Sequence, residues 1–579
     1  MISSEASLNR GKKYLGFISK QWSGYRKNLW TIIVLTMFNT AFVLLYPYIL
    51  RFIINGLESG APMTEIAKYI LLLIGSGAAI AVTYTMLQSN RLKMNLSFSN
   101  KIREEVFDRF PGYRNEFFHK YESGDISARL QSDLDALSWF MSSGIFRGLE
   151  GLLLIIFGSA VLLSINVTLT LITILPLIAI VIALLLFTEE KMNRKFKKVQ
   201  EFVSSVSDFM GASFSGIIFI KVKNRLSLFT RLFEDNLKER KTYEMDAVKY
   251  ERMVDIFYQL GIILSITAFL IFGGLIAVKG AMKLGDFVAF SQYLMTLIGP
   301  MFMIGFFVLS YARSKAYIDR IADLSGDEWL ERPRERKMDK FSGQIVFSGA
   351  DIGFDTPVLK DINAGFKKGE KIGIIGEVGS GKSTFIKTMM GIYPPLRGSV
   401  TIDGEPVCGL TYDALARLFG YTPQENVLFT SSIRENVRFA DHRIDDRVVL
   451  RAIEIAQFGK DLSEFEEGLT AQLGSGGKSI SGGQMQRIAI ARTLVEEHCI
   501  YVFDDITSSL DPETEFTLLK QLSKELKDRT VFMISYRPYT LSVMDRIIVL
   551  KDGGIHEIGT HDELMRTSEY YRDLLLITR

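Results

Sequence analysis

A glycine-rich stretch carrying a lysine and two hydroxyls is the part of this 579-residue sequence best equipped for chemistry. Residues 376–384 read Gly-Glu-Val-Gly-Ser-Gly-Lys-Ser-Thr and match the phosphate-binding pattern G-x-x-x-x-G-K-[ST]. Gly376, Gly379 and Gly381 allow a tight turn whose backbone N–H groups form a nest for phosphate oxygens. The stretch follows the apolar run Lys371–Ile375 and precedes a helix-prone segment, so the phosphates would lie at a helix N-terminus.

Further side chains with defined chemistry accompany this loop. Lys382 is predicted to reach the β- and γ-phosphates, Ser383 to offer its hydroxyl to Mg²⁺, and Thr384 to place a second hydroxyl near the phosphates. Residues 500–505 read Ile-Tyr-Val-Phe-Asp-Asp, so a buried strand would deliver two acids to its C-terminal edge. Asp504 is therefore predicted to hold the Mg²⁺ shell beside the phosphate loop.

A third motif lies between the phosphate loop and the acidic strand. Residues 480–484 read Ile-Ser-Gly-Gly-Gln, and Gln486 and Arg487 follow closely. Taken alone, Ser-Gly-Gly-Gln fits any turn before a helix. Its position between the other two motifs makes the combination specific for an ATP-binding domain.

The elements that must position these motifs are strands alternating with helices beyond a charged segment. Residues 319–341 are polar and charged, and we expect them to link two domains. The predicted strands are Gln344–Phe347, Lys371–Ile375, Ser399–Ile402, Ile500–Phe503 and Thr530–Ile534. This alternation predicts an α/β nucleotide-binding domain over residues 342–579.

The preceding half is predicted to be an all-α membrane domain over residues 29–318. A helix needs about 20 apolar residues to cross a bilayer, and six stretches qualify. They are Leu29–Leu50, Tyr69–Gln88, Gly148–Ile165, Thr168–Phe187, Ile256–Val278 and Phe287–Leu309. Only Asn166 and Val167 separate the third from the fourth, which predicts a tight hairpin.

The distribution of basic residues predicts the orientation of these spans. The long loops after the second and fourth spans are rich in Lys and Arg, so they and both chain ends should be cytoplasmic. Residues 1–28 are expected to form a cytoplasmic lead-in helix. The loops show helical periodicity, with breaks at residues 121–125 and 211–216 where short transverse helices could lie.

Composition excludes several classes of function. A mean hydropathy of +0.17 is high for a soluble protein, and a net charge of +3 gives no electrostatic support for nucleic-acid binding. The two cysteines, Cys408 and Cys499, suit a reducing cytosol. Ionisable side chains are nearly absent within the spans, with Arg147, Glu150 and Arg51 near their ends, so a proton relay is not supported.

The membrane half contains aromatic and methionine side chains at helical spacing, which usually indicate packing. The alternative interpretation is that they line an adaptable cavity for a hydrophobic substrate. Those considered are Tyr46, Tyr48, Met295, Met301, Phe302, Met303, Phe306 and Phe307. Three prolines within spans, Pro47, Pro176 and Pro300, could act as kinks or hinges.

Together the motifs and spans resemble a half-transporter of the ATP-binding cassette (ABC) exporter superfamily, of the multidrug and lipid-flippase type, over residues 15–579. The resemblance implies the type I (type IV) exporter fold and a dimer that sandwiches two ATP sites at its interface. Phe354 then looks like the aromatic that stacks on adenine, and Gln424 like the Q-loop ligand of Mg²⁺. Residues 508–511 resemble the D-loop.

The same resemblance extends to contacts between subunits and domains. Ser481 to Gln484 resembles the signature motif that caps the γ-phosphate of ATP held by the other subunit. The breaks near Gly124 and Gly211 look like coupling helices, the first within Phe117–Asp133.

Three positions depart from the family pattern. The family places a glutamate directly after the strand aspartate as the base for the attacking water, and this chain has Asp505. The family's switch histidine corresponds to Tyr536, where a phenol would meet the γ-phosphate. A weaker departure lies at Gly474-Ser475-Gly476-Gly477, where the family usually carries a glutamate.

These departures predict a site that binds ATP well and hydrolyses it poorly. The expected catalytic residues are Asp505, Tyr536 and Gln424, and the expected Mg²⁺ ligands are Ser383, Gln424 and Asp504. The expected ATP-binding residues are Phe354, Gly376, Glu377, Val378, Gly379, Ser380, Gly381, Lys382, Ser383, Thr384, Ser481, Gly482, Gly483 and Gln484.

The expected function is ATP-driven export of a drug, lipid or peptide across the cell membrane, with a second half-transporter as partner. A heterodimer is expected, in which the intact signature of this chain completes the partner's hydrolytic site. The alternatives are a homodimeric exporter with slow ATPase and an ATP-gated regulator or channel that does not pump. An importer is disfavoured by the fusion of both domains, and a peptide processor-exporter by the short segment before the first span.

Overall fold

The computed structural model describes residues 2–331, 333–338, 340–354, 356–474 and 480–577. The chain divides into two compact units, Met1–Leu330 and Glu331–Arg579. This division falls inside the charged segment 319–341. The last long helix continues to Leu324, so the first part of that segment is helical.

The first unit is built from helices. They are α1 Ile2–Ser23, α2 Arg26–Glu58, α3 Met63–Phe107, α4 Asn115–Lys120, α5 Ser123–Ala128, α6 Leu134–Trp139, α7 Ile145–Ile165, α8 Val167–Ser215, α9 Ile217–Val222, α10 Leu226–Ala268, α11 Gly274–Val278 and α12 Leu284–Leu324. Three π-helical turns connect α5, α6 and α7 to one another and α10 to α11, at Arg129–Asp133, Phe140–Gly144 and Phe269–Gly273.

All six predicted spans lie in helices of this unit. Among the described residues, five helices are long and apolar enough to cross a membrane. They are Arg26–Glu58, Met63–Gly112, Ser123–Ile165, Leu226–Val278 and Leu284–Trp329. The predicted fourth span lies in α8, where the described residues by the same measure include the apolar stretch Val167–Ile180.

The predicted hairpin between the third and fourth spans is present. Asn166 separates α7 from α8, and its side-chain oxygen accepts a hydrogen bond from the backbone N–H of Leu169 at 2.9 Å. This bond satisfies one of the free N–H groups at the start of α8. A single residue therefore ends one helix and caps the next.

The predicted extension of the helices beyond the membrane is also present. Helices α3, α8 and α10 contain 45, 49 and 43 residues. At about 1.5 Å per residue each is about 65 Å or longer, roughly twice the bilayer core. The first break lies at Tyr121 and Glu122, between α4 and α5, and the second at Gly216, because α8 continues through Gly211.

The three prolines do not interrupt their helices. Pro47, Pro176 and Pro300 lie within α2, α8 and α12, which continue on both sides. Of the considered apolar side chains, Met301 is buried, whereas Met295 and Phe306 are about half exposed in the single chain. The substrate cavity therefore stays a prediction.

A polar cluster joins three helices of the first unit. The guanidinium of Arg91 on α3, only 1% exposed, lies 3.2 Å from the Glu150 carboxylate on α7. The Asn39 amide on α2 donates to the other oxygen of that carboxylate at 3.2 Å. Sequence reasoning named Glu150 but missed Arg91, because nothing in a helical pattern pairs residues 59 positions apart.

The second unit alternates strands and helices as predicted. Its strands are β1 Gln344–Gly353, β2 Pro357–Lys367, β3 Lys371–Gly376, β4 Arg397–Ile402, β5 Glu405–Pro406, β6 Phe419–Thr422, β7 Ile500–Asp504, β8 Thr530–Ile534, β9 Arg546–Lys551 and β10 Gly554–Gly559. Its helices are α13 Lys382–Met389, α14 Tyr412–Leu418, α15 Ile433–Arg438, α16 Asp446–Ile455, α17 Gly459–Leu462, α18 Gly482–Leu494, α19 Pro512–Glu525, α20 Pro538–Ser542, α21 His561–Thr567 and α22 Glu569–Ile577.

The described strands form two sheets. An antiparallel sheet has the order β2-β1-β4-β5, and a larger sheet has the order β10-β9-β3-β8-β7-β6. In the larger sheet β9, β3, β8, β7 and β6 run parallel. Loops that follow parallel strands emerge at one edge, so the residues after β3, β7, β8 and β6 are brought together there.

Candidate functional site

The phosphate loop connects β3 to α13 and has the backbone that its glycines require. Gly379 and Gly381 have φ angles of +86° and +93°, which other residues rarely adopt. A Cβ on Gly376 would lie 2.5 Å from the carbonyl oxygen of Leu550 and 2.7 Å from the hydroxyl of Ser380. The three glycines therefore shape a cradle for phosphate, which residues with larger side chains at these positions would distort or block.

Lys382, the first residue of α13, points into this cradle. Its side chain is nearly buried, with 8% of the residue exposed. The ammonium donates to the carbonyl oxygens of Gly376 at 2.8 Å and Glu377 at 2.7 Å. Burial lowers the pKa of Lys382, and the nearby carboxylates of Asp504 and Asp505 oppose that shift.

The structure brings together two of the three predicted Mg²⁺ ligands. Asp504 ends β7 and is 3% exposed, and the Ser383 hydroxyl lies near its carboxylate. Burial raises the pKa of Asp504, and the nearby Ser383 hydroxyl counteracts the shift. Gln424 follows β6, the neighbour of β7, and its side chain is exposed.

Those residues suit Mg²⁺ bound largely by phosphates and water. Mg²⁺ in nucleotide sites takes one or two protein oxygens and completes its shell with phosphates and water. Within the part of the chain that the structure describes, no group of three His, Cys, Asp or Glu could hold a metal ion. A hydroxyl beside a buried carboxylate is the donor set expected of an ATP-dependent site.

Asp505 has an unusual backbone. Its φ angle is +53°, a left-handed conformation that aspartate tolerates better than most residues. Its carbonyl oxygen accepts hydrogen bonds from the Gln486 amide and the Ser508 hydroxyl, each at 3.1 Å. Burial, followed by the charge of Asp504, raises the pKa of the Asp505 carboxyl.

Tyr536 follows β8 and faces the phosphate loop. The Lys382 ammonium lies 4.9 Å from the centre of the Tyr536 ring. Burial raises the pKa of Tyr536, and the charges of Asp505 and Asp504 add to this shift, so the phenol is neutral at physiological pH. The residue predicted to occupy the switch position thus contacts the lysine through its ring.

The predicted signature motif begins α18. The Ser481 hydroxyl accepts from the backbone N–H of Gln484 at 3.2 Å, and the Gln484 side chain accepts from the backbone N–H of Ser481 at 2.9 Å. This capping box fixes the helix start, where Ser481 and Gly482 are exposed. An exposed helix N-terminus is suited to binding an anion.

One residue that sequence reasoning missed holds the signature in place. The Asp461 carboxylate accepts from the Gln484 amide at 3.0 Å and from the Arg487 guanidinium at 2.9 Å. Asp461 lies on the short helix α17, more than 20 residues before both partners. Nothing in the spacing of the motif points to it.

The remaining predicted residues occupy the edges of the site. Phe354 is 48% exposed, and its ring meets that of Tyr393 edge-on with centres 5.0 Å apart. In the segment predicted to be the D-loop, Asp511 caps α19 by accepting from the N–H of Thr514 at 3.0 Å. The departure at residues 474–477 lies outside the described residues from Ser475 onward.

Two family models match the chain. The ABC transporter transmembrane region matches residues 29–301, and the ABC transporter model matches residues 359–508. The match over 359–508 includes the phosphate loop, the signature and the acidic strand, and an ATP-binding, ATP-hydrolysing domain is therefore present.

Bacterial relatives extend the similarity over both units. The chain is 32% identical over 472 residues to the probable multidrug resistance ABC transporter ATP-binding/permease protein YheI of Bacillus subtilis (strain 168), covering 79% of each. It is 25% identical over 531 residues to the multidrug resistance ABC transporter ATP-binding and permease protein of Lactococcus lactis subsp. lactis (strain IL1403), covering 91% of this chain and 89% of that protein.

The fold matches a solved exporter. The structure of a bacterial Atm1-family ABC exporter with ATP bound aligns with a TM-score of 0.76, over 96% of this chain and 98% of that one. Sequence identity in that alignment is 19%, so the likeness concerns the fold. The chain is accordingly a multi-pass membrane protein with a cytosolic nucleotide-binding unit, and it belongs to the ABC transporter family.

Proposed function

We propose that this chain is one half of an ATP-driven exporter of hydrophobic substrates, with a phosphate-loop site of its own that binds ATP and hydrolyses it slowly. The observation that carries the proposal is the set of residues at one sheet edge. Lys382, Ser383 and Asp504 are complete for binding, whereas Asp505 and Tyr536 stand at the base and switch positions. The substrate class rests on the multidrug names of the two relatives.

Slow hydrolysis follows from the base. The Asp505 carboxylate is one methylene shorter than a glutamate, and a displacement of about 1 Å can cost about 100-fold in rate. Its backbone is held by Gln486 and Ser508, which limits its movement toward a water molecule. Its raised pKa further reduces the ionised fraction at mildly acidic pH.

Ser383, Asp504 and Gln424 would hold Mg²⁺, which when bound neutralises phosphate charge. Thr384 and the backbone of residues 376–381 would hold the phosphates, and Phe354 would face the adenine. Exporters of this family act as dimers, and the exposed start of α18 would serve an ATP molecule held by the partner. In a heterodimer, the intact signature of this chain would complete a hydrolytic site on the partner chain.

The test is the ATPase activity of the purified full-length chain in nanodiscs beside the double variant Asp505→Glu/Tyr536→His. We expect a nearly inactive native chain and a gain of about 10- to 100-fold in the double variant, because the base regains its reach. Lys382→Ala in the double-variant background is the control for contaminating ATPases. Brisk turnover by the native chain would instead make a homodimeric exporter the better description.

A further inference from the structure

The position of Tyr536 relative to Lys382 follows from the sheet. Strands β3 and β8 are parallel neighbours, with Ile374 opposite Ile534. The phosphate loop follows β3, and Tyr536 lies two residues after the end of β8. The two loops therefore leave the same sheet edge side by side, which places the ammonium 4.9 Å from the ring centre.

The surroundings of the Lys382 ammonium explain what the ring contributes. A nearly buried ammonium has lost most of its water and needs other groups to stabilise its charge. The carbonyl oxygens of Gly376 and Glu377 accept two of its three N–H groups. The negative face of an aromatic ring attracts a cation at this distance, and the attraction is stronger in a desolvated site.

Different side chains at position 536 would interact differently with the Lys382 ammonium. Phenylalanine presents nearly the same ring face without the hydroxyl, whereas leucine has a similar volume and no π-system. Histidine presents a smaller ring that becomes positive when protonated and would then repel the ammonium. The ring and the hydroxyl of Tyr536 can therefore be tested separately.

We propose that Tyr536 is a positioning residue that acts through its ring face on Lys382 and keeps this ammonium in the phosphate cradle, and that its hydroxyl is dispensable for nucleotide binding. The inference rests on the proposed function only in that a nucleotide occupies this loop. It assigns Tyr536 to the retention of nucleotide rather than to a contact with the γ-phosphate.

The experiment measures equilibrium binding of MgATP and MgADP to the full-length chain in nanodiscs. We expect Tyr536→Phe to keep both dissociation constants within about twofold, and Tyr536→Leu to raise both by about fivefold, the size expected for a partly desolvated cation–π contact. Both nucleotides should respond because Lys382 reaches the β-phosphate as well as the γ-phosphate. Tyr539→Leu, on the neighbouring helix α20 with its ring against Phe516, is the matched control and should leave binding unchanged.

A second measurement separates the ring's electrons from its shape. Phenylalanine carrying one, two or three ring fluorines at position 536 keeps the shape but progressively weakens the negative face. Stepwise loss of affinity with equal melting temperatures is the expected result. Equal nucleotide affinity across the fluorinated series would overturn the proposal, because packing alone would then explain the effect of residue 536 on binding.

Two other outcomes are also decisive. If Tyr536→Phe weakened MgATP binding as much as Tyr536→Leu while MgADP binding stayed unchanged, the hydroxyl would be the working group and would meet the γ-phosphate. If the native chain bound no nucleotide at all, the proposed function would fail together with this inference. If the native chain bound nucleotide normally and the double variant Asp505→Glu/Tyr536→His had the same ATPase activity as the native chain, only the claim of slow hydrolysis would be wrong.

Discussion

Two adjacent carboxyls, the buried Asp504 and the half-buried Asp505, lie beside the phosphate loop of the nucleotide site. Burial raises the pKa of both, and for Asp505 the charge of Asp504 adds to the shift. In the unfolded chain both carboxyls return to their ordinary pKa. The folded state therefore holds these protons more tightly, and its stability falls as the pH rises from the unfolded pKa through the folded pKa. At neutral pH the ionised pair destabilises the fold.

Asp505→Asn should accordingly raise the melting temperature of the chain at neutral pH. Asparagine keeps the size and tolerates the left-handed backbone at this position. The gain should shrink as the pH is lowered from about 8 to about 4, because the native carboxyl then becomes protonated. Scanning calorimetry of both proteins over this range measures the difference, with Asp505→Glu as the control that keeps the charge. A gain that did not change with pH would mean that the charge is not its cause.

At the scale of elements, α7 packs closely on α12 because glycines face the contact. A Cβ on Gly148 would lie 2.7 Å from the Phe307 ring, and one on Gly151 would lie 3.3 Å from the carbonyl oxygen of Pro300. Small residues allow such close approach between membrane helices, where van der Waals packing supplies much of the association energy. The glycines thus allow these two helices to approach closely.

Gly148→Val should disturb this packing and destabilise the membrane unit by about 1–3 kcal/mol, the usual cost of overfilling a packed contact. The ring of Phe307 must move, and it is attached to a rigid helix. Thermal melting of detergent-solubilised protein, followed by size-exclusion chromatography, measures the loss. Gly77→Val on α3 is the matched control, since nothing lies within 4 Å of a Cβ there. Phe307→Leu should partly rescue the variant, and equal melting of both valine variants would contradict the packing argument.

At the scale of the whole molecule, the phosphate loop and the signature of one chain are proposed to serve different ATP molecules. In a heterodimer purified from its host, Lys382→Ala should therefore lower turnover only partly, since it empties the slow site. Ser481→Ala should reduce turnover by about 100-fold or more, because Ser481 would complete the partner's hydrolytic site. The ATPase rates of the two assembled complexes measure this division.

The same pair of variants distinguishes the two kinds of dimer. In a homodimer each substitution damages both sites, so the two losses would be similar. Ser481→Thr is the control, because threonine keeps a hydroxyl that can cap α18. If Ser481→Ala left turnover intact, the assignment of this signature to a hydrolytic site would be wrong.

The sequence by itself determined the features that arise from local patterns. The glycine spacing at 376–381 predicted the cradle, the apolar run before Asp504 predicted a buried strand, and the polar gap at Asn166 predicted the hairpin. Each depends on residues close in the chain, where spacing and side-chain type dictate backbone geometry. The family resemblance added the roles of these residues but not their contacts.

The tertiary structure alone decided which distant residues meet. The ring of Tyr536 on Lys382, the carboxylate of Asp461 on the signature, and the pairing of Arg91 with Glu150 join segments from about 20 to more than 150 residues apart. Strand order and helix packing create these contacts, and no periodicity records them. The left-handed backbone of Asp505 is likewise held by Gln486 and Ser508 through its carbonyl group, so folding fixes the residue that we propose as the base for hydrolysis.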